Sequence, residues 1–175
     1  MTGKLEIGSI MKKTSQSMAS CGKKSTRKEI YVLQGDPNCG KSSTIKEIYR
    51  ILSMKYPNYK ITVLSKPEKY DITIVIKIKD DNGNEIIIGI ESFGDKKKLI
   101  MGSLDSFANV ECNIIFCAER STKGIKGTVK QHSQRQYEVY FPPVSNLQKA
   151  ANKKGKTEAE INCEVAKKII QQANL

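Results

Sequence analysis

The chain has 175 residues, 38% of them apolar and 27% charged, enough for one domain with its own hydrophobic core and too ordinary a composition for a disordered protein. Its apolar runs stop at five residues, far short of the roughly 20 that cross a bilayer, and the first twenty residues hold no apolar block of a secretory signal, so a cytoplasmic protein without a membrane span is expected. Thirty Lys and Arg against eighteen Asp and Glu leave a net charge of +12, which attracts polyanions such as nucleic acid, nucleotides or acidic membranes, or else only keeps the surface soluble.

Residues 1–28 are rich in Ser, Lys, Thr and Gly without a lasting period and read as a flexible basic tail. The domain then runs over 29–175. Ile30, Tyr31, Val32 and Leu33 form a strand that ends at the turn cluster Gln34-Gly35-Asp36-Pro37. After Gly40-Lys41-Ser42 the period becomes helical, with Ile45, Ile48, Tyr49 and Leu52 on one face and Tyr56-Pro57-Asn58 as the stop.

Ile61 to Leu64 is a candidate second strand. Ile72, Ile74, Ile76 and Ile78 alternate with Thr73, Val75, Lys77 and Lys79 ahead of the turn Asp80-Asp81-Asn82-Gly83-Asn84, which predicts an antiparallel hairpin with Glu85 to Ile90. Helical spacing recurs over 99–109 despite Gly102. Asn113 to Ala118 is a short buried strand, 119–136 is polar, basic and glycine-containing, and Tyr137 to Phe141 is another strand closed by Pro142-Pro143. Thr157 and Glu160 match a capping box for a last helix with Ile161, Val165, Ala166, Ile169 and Ile170 buried. This element order predicts an α/β sandwich with a mixed sheet.

Five cysteines, at 21, 39, 112, 117 and 163, make no CxxC pair and no spacing with His132, the single histidine, that suggests zinc. They read as free thiols in a reducing compartment. Cys112 and Cys117 read as residues of one strand with side chains on opposite faces.

The most specific signal is Gly35-Asp36-Pro37-Asn38-Cys39-Gly40-Lys41-Ser42, a full match to GxxxxGK[ST] between a buried strand and an amphipathic helix. Average residue frequencies bring its four fixed positions together about once in 20,000 positions, so a chance turn is a poor explanation. A chain bending around a β-phosphate must approach it closely with N–H groups turned inward, which Gly35 and Gly40 permit. The helix start presents further N–H groups and its positive end. Lys41 can neutralise charge between β- and γ-phosphates while the Ser42 hydroxyl ligates Mg²⁺, with Ser43 supporting the first turn.

On the residues GDPNCGKSS after EIYVLQ, the chain resembles P-loop NTPases of the small, kinase-like kind. IIIGIESFGD at 86–95 is similar to a segment of small, largely uncharacterised bacterial and phage ATP-binding proteins, and the resemblance spans residues 29–120. It implies a three-layer P-loop NTPase sandwich with a mostly parallel sheet and an antiparallel hairpin. It also implies ATP and Mg²⁺ as ligands and an acidic segment in place of the second nucleotide-binding motif.

Glu91, directly after the apolar run Ile86 to Ile90, is the positional candidate for magnesium or for orienting a nucleophile, against a plain surface or capping carboxylate. Asp95, after Ser92-Phe93-Gly94, is a second candidate for magnesium or for accepting a proton. An ordinary ATPase carries an apolar strand ending in Asp; Glu91-Ser92 with a delayed Gly94-Asp95 argues against rapid water-activated hydrolysis. Arg120 at the head of the basic segment can stabilise a transferring phosphoryl group, with Lys123 and Arg135 as alternatives. No Asn-Lys-x-Asp run is present, which favours adenine over guanine.

The expected function is therefore an ATP-dependent phosphotransferase or slow ATPase with Mg-ATP held by residues 35–42. The alternative is an ATPase stimulated by nucleic acid or an acidic partner, acting as a switch or motor subunit.

Overall fold

The structure, a computed structural model, describes residues 27–64, 71–144 and 155–175. Most of the basic tail lies outside the described residues. Six strands, β1 Glu29–Gly35, β2 Lys60–Val63, β3 Thr73–Lys79, β4 Glu85–Glu91, β5 Ile114–Arg120 and β6 Glu138–Tyr140, form one sheet in the order β2-β3-β4-β5-β1-β6. Helices among the described residues include α1 Lys41–Lys55, α2 Lys97–Asn109, α3 Thr128–Ser133 and α4 Glu158–Gln172. β4, β5, β1 and β6 run parallel, and β3 is antiparallel to both β4 and β2.

Alternation along the strands splits the apolar side chains between two cores. Tyr31, Leu33, Ile74, Ile76, Ile88, Ile90 and Phe116 meet Ile45, Ile48 and Leu52 of α1 and Ile161, Val165 and Ile169 of α4. On the other face Ile30, Val32, Val75, Ile87 and Ile115 meet Ile100, Leu104 and Phe107 of α2 and Val129 of α3. The chain is thus a mixed α/β fold with helices against both faces of its sheet. Among the described residues no helix is long and apolar enough to cross a membrane.

The predicted hairpin forms: the Asp80 carboxylate accepts from the amides of Asn82 and Asn84 and fixes the turn between β3 and β4. β3 nevertheless lies inside the sheet, since the exposed four-residue β2 takes the edge. The capping box also forms, with the Glu160 amide donating to Thr157 Oγ1 and the Thr157 amide to the Glu160 carboxylate.

Two expectations need correction. Cys112 precedes β5 instead of belonging to it, because α2 ends in a turn through Glu111 at φ 57° and the Cys112 amide still bonds the Phe107 carbonyl. Both Cys112 and Cys117 then face the α2 side in one core, where burial pushes the Cys112 thiol up to about 12 and the Cys117 thiol well above its ordinary value. The second concerns the strand read as Asn113 to Ala118 and the polar, basic 119–136 after it: Glu119 and Arg120 extend β5, and residues 128–133 are helical. Buried Glu119 organises this stretch by accepting from the amides of Gly127 and Val129 and from Gln34 Nε2.

Candidate functional site

The junction of β1 and α1 stands at the carboxyl ends of the parallel strands, where open α/β sheets gather their ligand-binding loops. Gly35 remains strand-like as the last residue of β1, and the left-handed turn falls on Asn38 at φ 59° and Gly40 at φ 80°. That backbone suits glycine at position 40, since a β-carbon there is strained. Gly40 also takes the N-cap position of α1 with no capping side chain, so the first-turn amides open toward the loop.

Lys41 folds back over this loop. It is only 6% exposed, and its Nζ donates to the carbonyl oxygens of Asp36 at 2.6 Å and Gly35 at 3.0 Å, with the Cys39 sulfur 3.5 Å away. Two carbonyls and a thiol compensate a buried ammonium weakly, so an anion entering the loop gains a strong partner. The Gly35 carbonyl also accepts from the Ser121 amide, which anchors the loop to the end of β5.

Above the loop opens a cleft of about 420 Å³. Pro37, Asn38, Cys39, Gly40, Lys41, Ser42 and Ser43 line one side and Gly94, Asp95, Ala118 and Arg120 the other. Gly35 and Asp36 lie beneath, offering their carbonyls to Lys41. Arg120 and Asp95 form an ion pair across the far wall, with Nη2 2.5 Å from Oδ2. Gly94 makes this wall possible, because a β-carbon there would stand 2.8 Å from the carbonyl of Ala118. The Arg120 amide bonds the Gly94 carbonyl and holds the two segments together.

Glu91 is not part of the cleft lining. It shares strand parity with Ile87, which faces α2, and it is 2% exposed. Its carboxylate accepts from Thr73 Oγ1, Ser103 Oγ and the Phe93 amide. Burial pushes its carboxyl above the ordinary value despite those three bonds. The chain just beyond it does reach the loop: Ser42 Oγ donates to the Ser92 carbonyl.

Lys41, Ser42, Asp95 and Arg120 are thus brought together, and Glu91 stands behind them. Lys123 and Arg135 are exposed and line no part of the cleft. His132 pairs with Asp105, joining α3 to α2. Among the described residues no three His, Cys, Asp or Glu side chains gather as a metal site. Ser42, Asp95 and Glu158 are among the oxygen-bearing side chains of the cleft, a set suited to a hydrated hard cation shared with a bound anion.

Sequence reasoning missed Glu158 and Glu119. The capping box marks the start of α4 but not its position beside the loop, which follows from packing of α1 on α4 and the buried Thr44–Asn162 hydrogen bond. Glu119 had a local clue, a carboxylate ending an apolar strand before a glycine-rich stretch. No protein-family model matches the chain, and no curated protein or solved structure matches it significantly. Function is read from the cleft's own chemistry.

Proposed function

We propose that the chain is a P-loop NTPase that binds ATP with Mg²⁺ in the 35–42 loop and acts as an ATP-dependent phosphotransferase or slow ATPase. The observation that carries this reading is the buried Lys41 ammonium, held among the described residues by loop carbonyls and the Cys39 thiol at the floor of a cleft lined by residues 37–43 of the motif. Support for the family comes from β1 lying between parallel β5 and β6 with α1 directly after the loop.

In this reading the loop amides and Lys41 hold the β- and γ-phosphates. Ser42, with Asp95 or Glu158 beside it, would hold the magnesium, which would supply charge neutralisation at the phosphates. Arg120, released from Asp95, steadies the transferring phosphoryl group. The placement of Glu91 supports slow hydrolysis, since its carboxylate is engaged on the α2 side and offers no base to an attacking water beside the loop.

The test is release of phosphate and ADP from Mg-ATP by the wild type and Lys41→Ala, each with and without single-stranded DNA or RNA, after circular dichroism shows both folded. Slow turnover that the variant loses and polynucleotide leaves unchanged supports phosphotransfer and calls for an acceptor screen. Severalfold stimulation by polynucleotide would replace it with the motor or switch reading. Equal ATP binding by both proteins would overturn the nucleotide site itself.

A further inference from the structure

The opposite end of the sheet carries a second concave surface. α1 has 15 residues and so spans about 22 Å, which separates its C-terminal end from the loop at its start. There Lys55, Tyr56, Tyr59, Lys60, Lys77 and Lys79 line a groove of about 510 Å³. Among the described residues four lysines face a single carboxylate, Glu85, whose ion-pair distance to Lys77 is a loose 3.9 Å.

The pairing register sharpens this charge. Lys60 and Lys77 are direct partners across antiparallel β2 and β3, and like charges placed opposite each other disfavour the pairing. Both are exposed, as are Lys55 and Lys79. A bound anion would turn that repulsion into shared attraction. The tyrosines add π-faces: Lys55 Nζ stands 5.3 Å from the centroid of the Tyr56 ring, and Tyr59 is fixed edge-on to Tyr49 through a hydroxyl–hydroxyl bond of 3.0 Å. Cations beside aromatic rings in one groove fit a chain of phosphates with bases free to stack.

We propose that this lysine–tyrosine groove binds single-stranded polynucleotide, with phosphates between Lys60, Lys77 and Lys79 and a base on Tyr56. A duplex would keep its bases away from the rings and neutralise only the lysines. The inference does not rest on nucleotide binding at the 35–42 loop.

The experiment is fluorescence anisotropy of labelled 20-residue oligo(dT) and oligo(U) titrated with the full-length protein, without ATP, over a range of salt. Three lysine–phosphate contacts at about 0.7 in log–log slope each give a slope near −2.1, so a fourfold rise in salt weakens binding about 20-fold. Lys60→Glu with Lys79→Glu, both at exposed positions, should weaken binding at least tenfold. Tyr56→Leu, which keeps apolar bulk but removes the ring, should weaken it about tenfold with little change in salt slope. Lys41→Ala should bind like the wild type. Unchanged binding by the lysine variant would place polynucleotide elsewhere on this basic chain and overturn the proposal, as would no binding by the wild type or equal binding of a blunt duplex.

Discussion

The hydroxyl of Ser42 donates to the carbonyl oxygen of Ser92 across 2.8 Å, joining the start of α1 to the end of β4, although β5 separates β1 from β4 in the sheet. Ser92 is itself fixed, donating through Oγ to Asp71 and accepting from the Ile72 amide. Ser42→Ala removes one partly buried hydrogen bond, worth about 1 kcal/mol of stability. Under the proposed function it also removes the magnesium ligand. ATP affinity measured by calorimetry should then be weak and equal in Mg²⁺ and in EDTA, whereas the wild type gains at least tenfold from the metal. An undiminished metal effect in the variant would remove Ser42 from that role.

Glu91 gives a pH prediction. Burial is the leading influence and raises its pKa from an ordinary value of 4.5, with the bonds from Ser103, Thr73 and Phe93 opposing. A carboxyl with a higher pKa in the folded chain favours folding when protonated. Its contribution is complete below the unfolded value and declines as pH rises through the folded one. Glu91→Gln stays neutral and lacks that decline. Urea unfolding from about pH 4 to about pH 8 should therefore show the variant gaining on the wild type with rising pH, then levelling off. A difference that stays constant across that range would mean that Glu91 does not titrate as its surroundings indicate.

The Asp95–Arg120 pair separates stability from activity. Its side chains are 44% and 33% exposed, so losing the pair should cost under about 1 kcal/mol. Arg120→Gln should leave the melting temperature nearly unchanged while, under the proposed function, lowering kcat about a hundredfold, the scale of one lost charge-stabilising donor. A loss confined to KM would make Arg120 a binding group only.

Gly94→Ala tests the far wall of the cleft. The added methyl would meet the backbone carbonyl of Ala118 at 2.8 Å, and backbone cannot move aside as a side-chain end can. Overpacking of this kind costs about 1–3 kcal/mol. Urea unfolding should register it, and ATP affinity should fall with it as Asp95 and Arg120 shift. Wild-type stability in the variant would mean that the two segments separate freely.

Local features of the sequence disclose much of this molecule. Ile72 to Ile78 alternate as a strand must, the Asp80-to-Asn84 turn closes the hairpin, Thr157 and Glu160 cap α4, and Gly40-Lys41-Ser42 marks the start of α1. Legibility fails where long-range packing decides. Nothing near Glu91 in sequence shows Ser103, twelve residues on, which holds its carboxylate on the α2 side. Glu158 reaches the cleft only because α4 packs on α1. The helical turn at Thr128 depends on Glu119, whose carboxylate takes up two amides of that stretch.

The position of β1 has a consequence for the order in which the molecule can be made. Its neighbours, β5 and β6, both come from much later in the chain, while β2, β3 and β4 pair among themselves within residues 60–91. On a ribosome, the isoleucine hairpin can close as soon as it emerges, because its contacts are local. The glycine-lysine loop, although synthesised earlier, has no wall until Arg120 has followed it out. A nascent chain halted before β5 would carry the whole motif and yet lack the cleft.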